Sequence, residues 1–83
     1  MKHELKTWPL YFRAIEMGRK KFEIRYNDRD FKVDDVVILK EWDPETETYT
    51  GAELTYRIGT MITEERWGLK PGYCVFSLCR KNK

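Results

Sequence analysis

The segment Val36-Val37-Ile38-Leu39 decides the fold class, because it places four aliphatic residues in succession and three of them are β-branched. Side chains of this kind favour extended strands. An apolar run without polar alternation is typical of a central strand that is buried on both faces. The strand is expected to continue through Lys40-Glu41-Trp42 and to stop at Asp43-Pro44. The fold should therefore be organised around a sheet.

Shorter extended segments flank this strand on both sides. Residues 3–6 fit an edge strand, and residues 21–26 alternate charged with apolar side chains, as a strand with two different faces does. Residues 52–62 alternate in a similar way, and Gly59 within them predicts a β-bulge. Residues 73–79 form the last predicted strand.

One helix is predicted over residues 8–17. Thr7 is the expected N-cap, Pro9 fits the first turn, and Gly18 is expected to end the helix in a left-handed conformation. Apolar residues recur at i, i+3, i+4 and i+7, which gives one apolar face. This face comprises Trp8, Tyr11, Phe12 and Ile15. We expect it to point inward, with Trp8 either inward or at a rim. Its expected neighbours are Val37, Leu39, Val75 and Leu78.

Polar segments separate these elements. Asp34-Asp35 is predicted to form a tight turn. Four further segments are expected to lack strands: a polar turn at residues 27–30, a hairpin loop at 45–51, a loop or single helical turn at 63–72 and a frayed basic tail at 80–83.

The predicted order is a strand, one helix and then about five short strands. One helix cannot cover both faces of such a sheet, so a curled sheet or small barrel with the helix against one side is the economical arrangement. The fold class is therefore mainly β (α+β). With 83 residues, the chain forms one domain over residues 1–83.

The composition restricts the class of protein. Hydrophobic residues make up 41% and charged residues 36%, as in a folded domain. No apolar run approaches the roughly 18 residues that span a bilayer, and the N-terminal segment lacks the apolar stretch of a signal peptide. We therefore expect a cytoplasmic protein with no membrane partner.

The charges are distributed unevenly along the chain. Residues 1–30 contain eight basic and five acidic residues, and residues 31–67 contain four basic and nine acidic ones. Residues 68–83 contain four basic residues and no acidic one. A basic face results if both ends meet in the fold. A mixed, solvated surface is the alternative that charge alone favours.

The cysteines and the histidine give little support to metal or nucleophile chemistry. Cys74 and Cys79 should point to opposite faces of a strand and remain free thiols. His3 is the single histidine, so no zinc ligand set of the usual spacing exists. A Cys–His nucleophile is disfavoured because buried thiols are usually inert. We expect no metal and no cofactor.

Residues 18–25, Gly-Arg-Lys-Lys-Phe-Glu-Ile-Arg, fit the pattern G-x-K-x-x-E-x-R. This pattern resembles the signature of the ASCH domain in the PUA-like superfamily. Other segments resemble a small ASCH-like family of unknown function from bacteria and phages, for which RNA binding has been suggested; they are residues 3–9, 27–31, 39–44, 49–51 and 68–73. The resemblance implies a small PUA-like β-barrel, but a fold does not fix a function.

The same motif predicts a binding site. Glu23 and Arg25 lie two residues apart and hence on one face of a strand, where a carboxylate can accept and a guanidinium can donate hydrogen bonds at a nucleobase edge. Nearby lysines are candidates for phosphate contacts and tryptophans for base stacking. We therefore expect RNA or a nucleotide or nucleoside as partner. The candidate site residues are Lys6, Trp8, Lys20, Glu23, Arg25 and Trp67.

The two-residue periodicity of the strand leaves open whether Lys20 or Lys21 lies on the same face as Glu23. Lys20 has the wrong parity unless residues 18–20 still form a turn, whereas Lys21 has the right parity. The alternative interpretation of these charges is a surface ladder of ion pairs between Lys21, Glu23 and Arg25, which would contribute little to stability.

Two alternative functions remain. Some ASCH proteins are amidohydrolases that deacylate N4-acylated cytidines with a lysine, a threonine three positions on and a distant glutamate. Here Glu23 follows Lys20 at the threonine position, so the hydroxyl nucleophile is missing and a water activated by Glu23 would be required. Glu64 or Glu65 would supply the distant acid. We favour binding over catalysis. A protein-interaction module, with the acidic hairpin of residues 43–53 as its surface, is the third possibility.

Overall fold

The computed structural model describes residues 1–80 of the chain. This part holds five strands, one α-helix and a single 3-10 turn at Glu65–Trp67. In chain order the helix and strands are β1 (Lys2–Thr7), α1 (Pro9–Glu16), β2 (Phe22–Tyr26), β3 (Val36–Asp43), β4 (Thr48–Ile62) and β5 (Tyr73–Arg80). Arg80 belongs to β5 and not to the predicted tail, and the rest of that tail, residues 81–83, lies outside the described residues.

The strands form one sheet in the order β1-β3-β4-β5-β2. β1 runs parallel to β3, and the other three neighbouring pairs are antiparallel. The sheet curls into a half-barrel whose two edges are β1 and β2. The predicted fold class, mainly β with one main helix, is confirmed. Within residues 1–80, four strands follow the helix where about five were predicted.

β3 lies at the centre of the core, as its apolar run predicts. Val37 and Leu39 are fully buried on the concave face. Val36 and Ile38, on the opposite face, are only partly buried, so the prediction of burial on both faces is wrong for the convex side. The reason is the single helix, which packs on β3 from the concave side and leaves the convex side to solvent.

α1 contributes one half of its predicted apolar face to the core. Phe12 and Ile15 are buried, and they share a cluster with Val37 and Leu39. Tyr11 is 51% exposed, so the prediction that it points inward is wrong. Trp8 is 53% exposed and takes the rim position, the second of its two predicted alternatives. Of the other predicted neighbours, Leu78 packs against the core, whereas Val75 has the parity of the convex face.

The ends of α1 differ in how well the sequence predicts them. Thr7 is the last residue of β1, and Trp8 takes the N-cap position without a side-chain cap bond. Pro9 begins the helix, as predicted. Gly18 follows the C-cap with φ +79°, which confirms the left-handed stop.

β4 is longer than predicted, because it begins at Thr48, inside the segment expected to be a loop. The β-bulge in this strand is confirmed by a register shift between Ile58 and Met61. At Gly59 an added Cβ would lie 2.7 Å from Ser77 Oγ and would also collide with Cys79. Only glycine lets β4 and β5 approach each other here.

A buried hydrogen-bonded pair, His3 and Asp35, anchors the turn before β3. Asp34 lies in this turn, which the sequence predicts, and has φ +76°. The Asp35 carboxylate accepts hydrogen bonds from His3 Nε2 at 2.8 Å and from the Lys32 N–H at 3.1 Å. His3 and Asp35 are both buried, so the turn and β1 are held together from inside.

Candidate functional site

The half-barrel is open along one seam, where β1 and β2 face each other without forming a ladder. Two arginines cross this seam. Arg25 Nη2 donates to the carbonyl oxygen of Lys6 at 2.8 Å, and Arg29 Nη1 donates to the carbonyl oxygen of Glu4 at 2.7 Å. Both side chains therefore bond to carbonyl groups of β1, one edge of the sheet.

A cleft with a volume of about 860 Å³ opens at this seam. That volume lies in the range of small-molecule sites, about 300–1,000 Å³. Four basic and two acidic residues line it, so its lining carries a net positive charge. The charged residues are Lys6, Lys20, Arg25, Arg29, Glu23 and Asp28.

β2 turns its charged residues inward. Glu23 is a register partner of the fully buried Phe76 and is itself only 5% exposed. Phe22 and Ile24, of opposite parity, are about half exposed along the outer wall of the same cleft. Because the buried side of this strand carries the carboxylate, a surface ladder of ion pairs does not describe these charges.

Two cations hold the Glu23 carboxylate. Lys20 Nζ lies 2.8 Å from Oε1, and Arg25 Nε lies 3.0 Å from Oε2. Lys20 Nζ also donates to the carbonyl oxygen of Phe22 at 2.7 Å. β2 begins only at Phe22, so residues 18–20 are not in the strand, and Lys20 can bend back to Glu23. Lys20 therefore joins the cleft, and Lys21 does not line it.

This trio retains hydrogen-bonding capacity. An ammonium group has three donors, a guanidinium five, and a carboxylate about four acceptor sites. Lys20 uses two donors, on Glu23 and the Phe22 carbonyl, and Arg25 uses two, on Glu23 and the Lys6 carbonyl. Donors on both cations and about two acceptor sites on Glu23 are thus left unused by these contacts.

Half-exposed aromatic rings lie at the mouth of the cleft. Trp8 and Tyr11 project from the first turn of α1 and line it. Trp67, the other predicted stacking residue, sits on the 3-10 turn with 67% of its surface exposed and does not line the cleft. The structure therefore brings five of the six predicted residues to one cavity and leaves Trp67 outside.

Lys6 lies at the edge of this cleft, with its side chain on the convex parity of β1. Its Nζ lies 4.1 Å from the centre of the Trp42 ring, a cation–π contact. The backbone carbonyl of Lys6 is the part that contacts Arg25. An ammonium on a flexible stem beside the cleft can still reach a phosphate group.

Sequence reasoning missed Arg29 and Tyr11 as cleft residues. Arg29 lies in a polar turn, where a charged side chain carries no distinguishing signal. Tyr11 belongs to the apolar helical face and was expected in the core. The polar turn does follow the motif directly, so its proximity to β2 was available from the sequence.

Other reactive groups lie away from a catalytic arrangement. Cys74 and Cys79 are both free thiols. Burial raises the pKa of the Cys74 thiol, which disfavours a nucleophilic thiolate. Within residues 1–80, no group of three or more His, Cys, Asp or Glu side chains is placed to hold a metal ion. No helix in this part of the chain is long and apolar enough to cross a membrane.

Fold and site together define a small mainly-β protein with a basic, aromatic-edged cleft at the seam of a half-barrel. A family described as a domain of unknown function, DUF3850, matches residues 2–78, and the chain belongs to this family. It is also similar to the uncharacterized 12.9 kDa protein in the GpA 3′ region of Escherichia phage P2, with 32% identity over 65 residues. That alignment covers 78% of this chain and 58% of the phage protein.

Proposed function

We propose that the protein binds a nucleobase, from single-stranded RNA or from a free nucleotide, in the cleft at the seam. The observation that carries the proposal is the buried Glu23 carboxylate, held at both oxygens by Lys20 and Arg25 and facing a cavity of about 860 Å³. Recognition of unstacked bases uses fixed donors and acceptors of this kind. The resemblance of residues 18–25 to the ASCH signature supports the same function.

The surroundings of the trio suit the rest of a nucleotide. Trp8 and Tyr11 offer half-exposed ring faces on which a base can stack. Lys6 and Arg29 lie along the cleft and can neutralise a phosphate.

Calorimetric titration with nucleoside monophosphates and a short single-stranded RNA tests this proposal, using two lysine variants as a matched pair. Lys20→Ala removes a donor that touches Glu23, so affinity should fall by about 1–3 kcal/mol, the usual value of a charged hydrogen bond. Lys21→Ala removes the neighbouring lysine, which does not line the cleft, and should leave affinity unchanged. Thermal unfolding checks that both variants fold.

Two results would contradict the proposal. One is the absence of binding by any of these ligands to the wild-type protein at millimolar concentration. The other is an equal loss of affinity in the Lys20 and Lys21 variants, because that would indicate attraction by net charge and not a site. The two lysines differ in position, because Lys20 lines the cleft and Lys21 does not.

An amidohydrolase acting on N4-acylated cytidine is the alternative, since Glu23 in the same cleft could activate a water molecule. Glu23→Gln separates the two functions: it should abolish turnover with binding nearly intact if Glu23 is a general base, and it should change binding if Glu23 contacts the base. A deacylation assay on the wild-type protein and this variant decides between them.

The protein-interaction module receives less support. It predicts an extended apolar patch away from the cleft. The exposed apolar side chains of β2, with Tyr73 beside them, line the cleft itself, so they form its wall; they are Phe22, Ile24 and Tyr26.

A further inference from the structure

The trio in the cleft presents its hydrogen-bonding groups in a fixed order. Lys20 contacts Oε1 of Glu23 and Arg25 contacts Oε2, so a cation flanks the carboxylate on each side. The sequence of groups is donor, acceptor, acceptor, donor. Each member keeps unused capacity after its contacts within the protein are counted. A ligand that pairs with all four groups needs the order acceptor, donor, donor, acceptor.

We infer that the cleft selects guanine among the nucleobases, an inference that rests on the proposed nucleobase binding. Guanine carries two adjacent donors, the N1–H and the N2 amino group, with the O6 acceptor on one side and the N3 acceptor on the other. Its two donors pair with the oxygens of Glu23. Its flanking acceptors then face Lys20 and Arg25.

The other bases leave some of the four hydrogen-bonding groups of Lys20, Glu23 and Arg25 unpaired. Adenine and cytosine each place one amino donor beside a ring-nitrogen acceptor, and uracil has one N–H between two carbonyl acceptors. Each would set an acceptor against one oxygen of Glu23. A buried carboxylate oxygen that faces an acceptor is strongly unfavourable, and Glu23 is only 5% exposed. Sites built this way discriminate against analogues that lack the matching group.

The side chains around Glu23 fix the array before a ligand arrives. Lys20 Nζ is held by the carbonyl of Phe22 and lies 4.8 Å from the centre of the Phe22 ring. Arg25 is held by the carbonyl of Lys6 across the seam. Because both cations are tied to backbone groups, the donor and acceptor order does not have to form upon binding.

The test compares the affinities of GMP, AMP, CMP, UMP and IMP for the wild-type protein by calorimetry at one salt concentration. GMP should bind about 5–150-fold more tightly than AMP, CMP or UMP, which corresponds to one good bidentate base contact. IMP keeps O6 and N1–H but lacks the N2 amino group, so it should bind about tenfold more weakly than GMP. A uridine-rich RNA pentamer with and without one guanosine distinguishes a guanine in RNA from a free nucleotide.

Glu23→Gln provides a second arm, because the amide replaces one acceptor with a donor at the same position. The preference for GMP over AMP should fall by at least about fivefold, while Lys21→Ala retains it. Equal affinity for all monophosphates, or a preference for CMP, would overturn guanine selection and leave nucleobase binding intact. No binding of any monophosphate or RNA would overturn both proposals. The IMP comparison uses only the wild-type protein, so the inference stays testable even if the variant does not fold.

Discussion

Arg25 on β2 donates from Nη2 to the carbonyl oxygen of Lys6 on β1 at 2.8 Å, and this bond joins the two edges of the sheet. The same side chain donates from Nε to Glu23. Arg25 therefore bonds across the seam, as Arg29 also does, and in addition fixes one end of the carboxylate in the cleft. The Arg25 guanidinium thus links the seam to the site.

Arg25→Met should lower the free energy of unfolding by about 1–3 kcal/mol, because it leaves the largely buried Glu23 without one of its two cations. Urea denaturation measures the change. Arg57→Met is the matched control: its guanidinium bonds the exposed Asp34 at 2.7 Å, and its loss should cost under about 1 kcal/mol. Equal destabilisation by the two substitutions would contradict the role assigned to the seam.

The sequence predicts the elements of the fold well, since they depend on local patterns. The aliphatic run at β3, the glycine stop after α1 and the bulge at Gly59 follow from strand and turn preferences. The start of β4 at Thr48 was missed. The polar residues there pair with the end of β3, and this pairing overrides their preference for a loop.

The site is less predictable, because it depends on how the sheet closes. The motif indicates Glu23 and Arg25, and their spacing places them on one face. Nothing local indicates that this face turns inward while Phe22 and Ile24 remain exposed. The exclusion of Trp67 has the same origin, since its position depends on the long-range arrangement of β4 and β5.

Asp35 should make stability depend on pH below about pH 4. Burial raises the pKa of its carboxyl, but the hydrogen bonds from His3 and the Lys32 N–H and the charge of the Met1 ammonium lower it more, so the pKa lies below its ordinary value. The ionised carboxylate therefore stabilises the fold fully above the unfolded-state pKa, and this contribution is lost as the pH falls through the folded-state pKa.

Asp35→Asn should accordingly reduce stability at neutral pH and flatten its decrease between about pH 5 and pH 2. Urea denaturation across this range tests the prediction. Asp30→Asn, at an exposed side chain paired only with Lys32 among the described residues, should retain the wild-type pH dependence. A wild-type slope that persists in the Asp35 variant would show that other carboxyl groups cause it.

Nucleic-acid binding should depend only modestly on salt. Lys6, Lys20, Arg25 and Arg29 are the basic residues that line the cleft, and Lys20 and Arg25 already contact Glu23. With two phosphate contacts, from Lys6 and Arg29, the logarithm of affinity for single-stranded RNA should fall against the logarithm of salt with a slope of about 1.4. Titrations at several salt concentrations measure the slope, and affinity independent of salt would contradict the phosphate contacts.

Trp8 and Trp67 form a matched pair for the stacking role. Both rings are largely exposed, at 53% and 67%, but only Trp8 lines the cleft. Trp8 makes no side-chain cap bond to α1, so its truncation should leave the helix and the melting temperature nearly unchanged. Trp8→Ala should weaken RNA binding by about 1–3 kcal/mol, the value of one stacked base, whereas Trp67→Ala should leave it unaltered. Fluorescence anisotropy with a labelled RNA measures both, and an equal effect of the two substitutions would locate binding outside the cleft.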